Sequence, residues 1–105
     1  MKLVRDLIPA IIIESGGTCE WRYTDSKDEY TLLLNDKVQE EVQEYLESSS
    51  HEEALEEAGD VYEVVSALLS LKGISMKEAE EHARDKRGKR GGFKAGVVLK
   101  VSRHV

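Results

Sequence analysis

The chain of 105 residues has one cysteine, Cys19, and one proline, Pro9. A single cysteine rules out an internal disulfide. His51, His82 and His104 lie far apart, and no CxxC exists, so no zinc-ligand spacing is present. There is no long apolar run: "MKLVRDLIPAIIIESGG" is broken by Asp6 and Pro9 and is too short for a signal or membrane-spanning segment, so the chain reads as cytosolic. No Walker A sequence or dinucleotide-binding glycine fingerprint occurs, which removes the two common glycine-loop routes to phosphate binding. Aromatic residues are few, at 6%, so only Trp21, Tyr23 and Phe93 stand outside the helical patterns as rings that could stack on a base; each suits the core of a small sheet equally well.

Cationic side chains are missing where acids are most dense. Residues 40–63 hold ten Asp or Glu and no Lys or Arg, whereas residues 84–103 hold eight Lys or Arg against one acid, Asp85. The net charge of −6 thus hides a strong asymmetry. An acidic face repels a phosphate backbone, so a nucleic-acid partner is not expected. A small polyanion arriving with a divalent cation fits better. At 40% apolar and 34% charged, the composition is that of an ordinary soluble domain, and the whole of residues 1–105 reads as one domain without repeats or linkers.

The patterning predicts a mainly α fold, a helical bundle with a small appended β-sheet. A short helix holds Pro9 in its first turn and stops at Gly16-Gly17. A long helix starts near Asp25 or Ser26 and ends near Glu47. A second long helix follows Ser50, an N-cap with Glu53 at the capping-box position, and ends at Gly73. Ser75 and Glu78 open a third in the same way. The alternating "TCEWRYT" (18–24) and the apolar "AGVVLKVS" (95–102) predict two strands that pair with each other.

Two acid pairs then demand explanation: Glu41 with Glu44, and Glu57 with Asp60. At about 100° per residue, Tyr30, Leu34 and Tyr45 fall within roughly 40° of Glu41, and Val61, Val64 and Leu68 within roughly 40° of Glu57. Glu44 and Asp60 lie about 60° round on the same sides. Both pairs therefore border the apolar stripes. An unpaired carboxylate in a helix seam costs several kcal/mol and needs protonation, a basic partner or a cation. Within the two stripe segments just compared, Tyr30–Tyr45 and Glu57–Leu68, the only base is Lys37, one turn from Glu41, and one ammonium does not neutralise four acids. Carboxylates without His or Cys favour Mg²⁺ or Mn²⁺. One ExxE on a helix is most often a solvated face; two on consecutive helices, each beside the apolar stripe, argue for a site. Gly59, inside the second long helix, marks either a close backbone approach or nothing.

The spacing Glu41-xx-Glu44, twelve residues, Glu57-xx-Asp60, with Glu40 in front, resembles the EExxE…ExxD signature of the MazG-like all-α nucleoside triphosphate pyrophosphohydrolases. "KLVRDLIPAII" (Lys2 to Ile12) and "KRGGF" (Lys89 to Phe93) are similar to the phosphoribosyl-ATP pyrophosphohydrolase-like subgroup, so the resemblance spans nearly the whole chain. It implies a Mg²⁺-dependent enzyme that cleaves a nucleotide between the α and β phosphates, giving a monophosphate and pyrophosphate. Glu41, Glu44, Glu57 and Asp60 would hold the Mg²⁺ (or Mn²⁺). Glu44 or Glu41, with Glu40 as a further choice, would orient or deprotonate the attacking water. Cations at the phosphates would come from Arg90, Lys86, Lys89, Arg5 and Lys37, with Lys2 behind them; Arg90 stands out beside Gly91-Gly92. One departure bears on the substrate: where phosphoribosyl-ATP pyrophosphohydrolases carry a histidine four residues after the motif's Asp, this chain has Val64, which weighs against a histidine-biosynthetic role.

Two other readings compete. In one, the helices are a non-catalytic interaction module whose acids pair with the basic tail; in the other, the acids hold a regulatory metal without turnover. Thermal stabilisation by Mg²⁺ excludes the first, and pyrophosphate release excludes the second. The apolar residues also exceed what one helix partner covers: Leu32, Leu33 and Leu34 are consecutive and so point about 100° apart. This predicts a homodimer or homotetramer, the assembly that the resemblance also implies.

Overall fold

The computed structural model describes residues 1–103 and contains four helices: α1 (Ile8–Glu14), α2 (Lys27–Glu47), α3 (His51–Ser70) and α4 (Met76–Arg90). They belong to two compact units, the first Met1–Ile74 and the second from Ser75 onward.

In the first unit, Pro9 lies in the opening turn of α1, where its missing N–H leaves no helical bond unmade. The helix closes at Gly16, whose φ of 90° favours glycine. Ser26 caps α2 by accepting the Glu29 amide, and Ser50 caps α3 by accepting that of Glu53 at 3.1 Å. The Glu53 carboxylate accepts from the Ser49 hydroxyl at 3.2 Å instead of returning to Ser50, so only half of the expected capping box forms. α3 ends at Ser70, slightly before the expected Gly73; the extra residues form a turn that uses Gly73 at a φ of 71°. The short link Ser48–Ser50 folds α2 and α3 into a helical hairpin whose seam is the core of the unit. Leu34 sits in that seam at 2% exposure, and among the described residues it is the one buried hydrophobe. Gly59 meets nothing within 4 Å of where a Cβ would stand, so the chain itself makes no close approach there.

The small sheet is not formed: residues 18–24 and 95–102 carry no strand. Two isolated strands are at best marginal in water, and residues 18–24 are tied down by side chains instead. Trp21 and Tyr23, two apart, stack edge to face at 5.1 Å, and Arg22 between them grips Glu29 on α2 through two N–H···O bonds of 2.8 Å. In the second unit, α4 starts with a complete Ser75–Glu78 capping box and stops at Gly91, with φ of 81°, after three basic residues in its last turn. Phe93 beyond it is fully exposed.

Candidate active site

Glu41 enters the site from the buried face of α2. Its phase beside Leu34 leaves it 6% exposed, the one charged residue among those described to be buried. Lys37, one turn earlier, donates to it from 3.1 Å and reaches Glu40 at 3.7 Å. Burial pushes the Glu41 carboxyl above its usual value; the neighbouring Glu44 adds to the rise and Lys37 opposes it. Across the seam, α3 brings in Glu57. One carboxylate oxygen from each of Glu41, Glu44 and Glu57 lies within 4.8 Å of the others. Two oxygens, Oε2 of Glu41 and Oε2 of Glu57, are buried and meet no hydrogen-bond donor among the described residues.

That pair of orphaned anionic oxygens is what a hard cation would satisfy. Ligand oxygens around Mg²⁺ at about 2.1 Å lie roughly 3–4 Å apart, so small side-chain rotations would bring the three acids into one coordination shell. The donor set is oxygen only, which suits Mg²⁺ or Mn²⁺ over zinc.

Asp60, the fourth predicted acid, has a different partner. Its Oδ1 accepts from the Arg5 guanidinium at 2.7 Å, which holds Arg5 firmly in its charged form. The structure thus brings together Glu41, Glu44 and Glu57, with Lys37 at Glu41. Asp60 falls outside that trio and shares with Glu41 and Lys37 only a cavity that Arg5 also lines. Lys2 lies 3.9 Å from Glu40. Lys86, Lys89 and Arg90 lie on exposed positions of α4, in the second unit. The Arg5–Asp60 contact spans 55 residues, and nothing in the sequence pairs these two over other charges.

That cavity, of about 500 Å³ inside the first unit, is lined by Glu41 and Asp60 together with Asp6 and Glu63, but not by Glu44 or Glu57. Arg5, Lys37, Glu41 and Asp60 supply its charged side; Tyr30, Ile8, Leu34 and Val64 are among the residues that supply the apolar side. Sequence reading did not foresee that Val64 and Tyr30 line a common space, because the N-terminal segment that closes it packs from a distant part of the chain.

The α2–α3 hairpin thus carries carboxylates from both of its arms into one seam, with Lys37 at Glu41. A profile of the family described as phosphoribosyl-ATP pyrophosphohydrolase matches residues 4–87, and the chain belongs to that family, within the MazG-like superfamily. It is an enzyme of the pyrophosphohydrolase class. Comparison with curated proteins and with solved structures gives no match. Among the described residues, no helix is long and apolar enough to cross a membrane.

Proposed function

We propose that the protein hydrolyses a nucleotide between its α and β phosphates with the help of Mg²⁺ or Mn²⁺, releasing a monophosphate and pyrophosphate. The observation that carries this reading is the convergence of Glu41, Glu44 and Glu57 with two buried carboxylate oxygens lacking donors. Glu41, Glu44, Glu57 and Asp60 are the proposed ligands. When bound, the ion supplies charge screening at the phosphates and acidifies water. Glu44 is exposed beside the buried Glu41, so it can exchange a proton with the attacking water and return it to solvent; Glu41 is the alternative base. Lys37, held at the acids, and Arg5, at the cavity wall, counter the charge that develops on the phosphoryl oxygens. Arg90, Lys86 and Lys89 are proposed phosphate contacts on the strength of charge alone.

The apolar wall of Tyr30, Ile8, Leu34 and Val64 suits a base or sugar. Val64 offers no hydrogen bond, which favours a substrate other than phosphoribosyl-ATP. A panel of standard and modified nucleotides plus phosphoribosyl-ATP, assayed with Mg²⁺ for pyrophosphate, tests the proposal; orthophosphate as the sole phosphorus product across the panel would reject the reaction class. Residues 1–105 are taken as one functional domain, since the family match crosses from the first compact unit into the second.

We further propose a homodimer or homotetramer acting in the cytoplasm. Leu32, Leu46, Leu55 and Tyr62 stay exposed on α2 and α3. That is more apolar helix surface than a lone hairpin normally leaves in water.

A further inference from the structure

The Arg5–Asp60 pair differs from the other ion pair of the acid cluster. Lys37 pairs with Glu41 one turn away on the same helix, so that contact is built into α2 itself. Arg5 comes from the segment before α1 and reaches 55 residues along the chain to bind an acid on α3. The two cations leave the four acids short of neutral by two charges, the charge of one divalent ion. The Arg5 and Asp60 side chains are 56% and 36% exposed, and an ion pair this wet is easily exchanged for another partner. A divalent ion among Glu41, Glu44 and Glu57 would repel the guanidinium and compete for the same Asp60 carboxylate.

We propose that Arg5 is a placeholder for the metal: it neutralises Asp60 in the metal-free protein and leaves when the ion binds. The exchange loosens the N-terminal segment and frees the guanidinium, already at the cavity wall, to meet the substrate's phosphates. Arg5 thus changes its partner with metal occupancy, from the Asp60 carboxylate to the substrate. The inference rests on the proposed function in taking Glu41, Glu44, Glu57 and Asp60 as the metal ligands and a nucleotide as the substrate.

Mn²⁺ titrated calorimetrically into the full chain without nucleotide tests this. Arg5→Gln should bind Mn²⁺ about two- to fivefold more tightly than the wild type, the range that loss of an exposed competing ion pair allows. The gain should disappear when both proteins also carry Asp60→Asn. Unchanged or weaker Mn²⁺ affinity in folded Arg5→Gln overturns the proposal, because a mere tether would behave that way. Hydrogen exchange on the wild type serves should the variant not fold. Mn²⁺ should speed exchange at the Ile8 amide, which bonds the Arg5 carbonyl at 3.1 Å; slower or unchanged exchange overturns the proposal. If Mn²⁺ binds without either effect, this inference fails and the hydrolase reading stands; if Mn²⁺ does not bind at all, both the placeholder and the proposed metal site fail.

Discussion

Glu57 carries a buried carboxylate oxygen with no donor among the described residues, facing other acids across the seam. Replacing it by Gln removes one of several mutually repelling anions from the metal-free protein. Glu57→Gln should therefore abolish Mg²⁺ binding and pyrophosphate release while its metal-free thermal midpoint stays level or rises. Glu47, exposed and bonded to Gln43 at 2.7 Å, is the control, and Glu47→Gln should leave both measurements unchanged. Glu41 and Glu29 give opposite pH behaviour. Burial raises the Glu41 carboxyl above 4.5, so the folded state holds the proton more tightly than the unfolded one, and ionisation at higher pH is costly. The stability advantage of Glu41→Gln over the wild type should accordingly grow as pH rises above 4.5. The Arg22 fork and the Asp25 amide instead hold Glu29 down to about 2. Its contribution is complete above 4.5 and is lost as pH falls from 4.5 towards 2. Acid titration of the thermal midpoint should lose that part of its slope in Glu29→Gln.

At the scale of elements, the α2–α3 hairpin depends on few fully buried contacts. Leu34 is its one buried hydrophobe among the described residues, one helical face away from solvent-exposed Leu32. Leu34→Ala should cost about 2–5 kcal/mol in chemical denaturation, through lost burial and the cavity left behind. The same substitution at Leu32 should cost well under half of that in a monomer. A comparable loss at both positions would mean that Leu32 is covered by another copy. The helix starts were legible locally, since Ser26, Ser50 and Ser75 each accept an amide three residues on. The strands were misread because alternation reports only a side chain's direction, whereas a strand exists only if another backbone completes its hydrogen bonds.

For the whole molecule, the exposed apolar positions of α2 and α3 lead to one expectation. Sedimentation at micromolar concentration should give at least a dimer, and an 11.8 kDa species with full activity would refute the proposed assembly. The sequence by itself determined the helices, their caps, and the inward phase of Glu41, because helical periodicity and capping act over three or four residues. It also carried the acid spacing that marks the family. Only the tertiary structure decided which acids share a centre and which has its own counter-ion. It also decided that Val64 and Tyr30 border the same cavity. Those outcomes depend on where the N-terminal segment docks against a seam more than fifty residues away. Charge alone cannot select that docking: Arg5 could have paired with any of ten acids between residues 40 and 63, and packing brought it to Asp60.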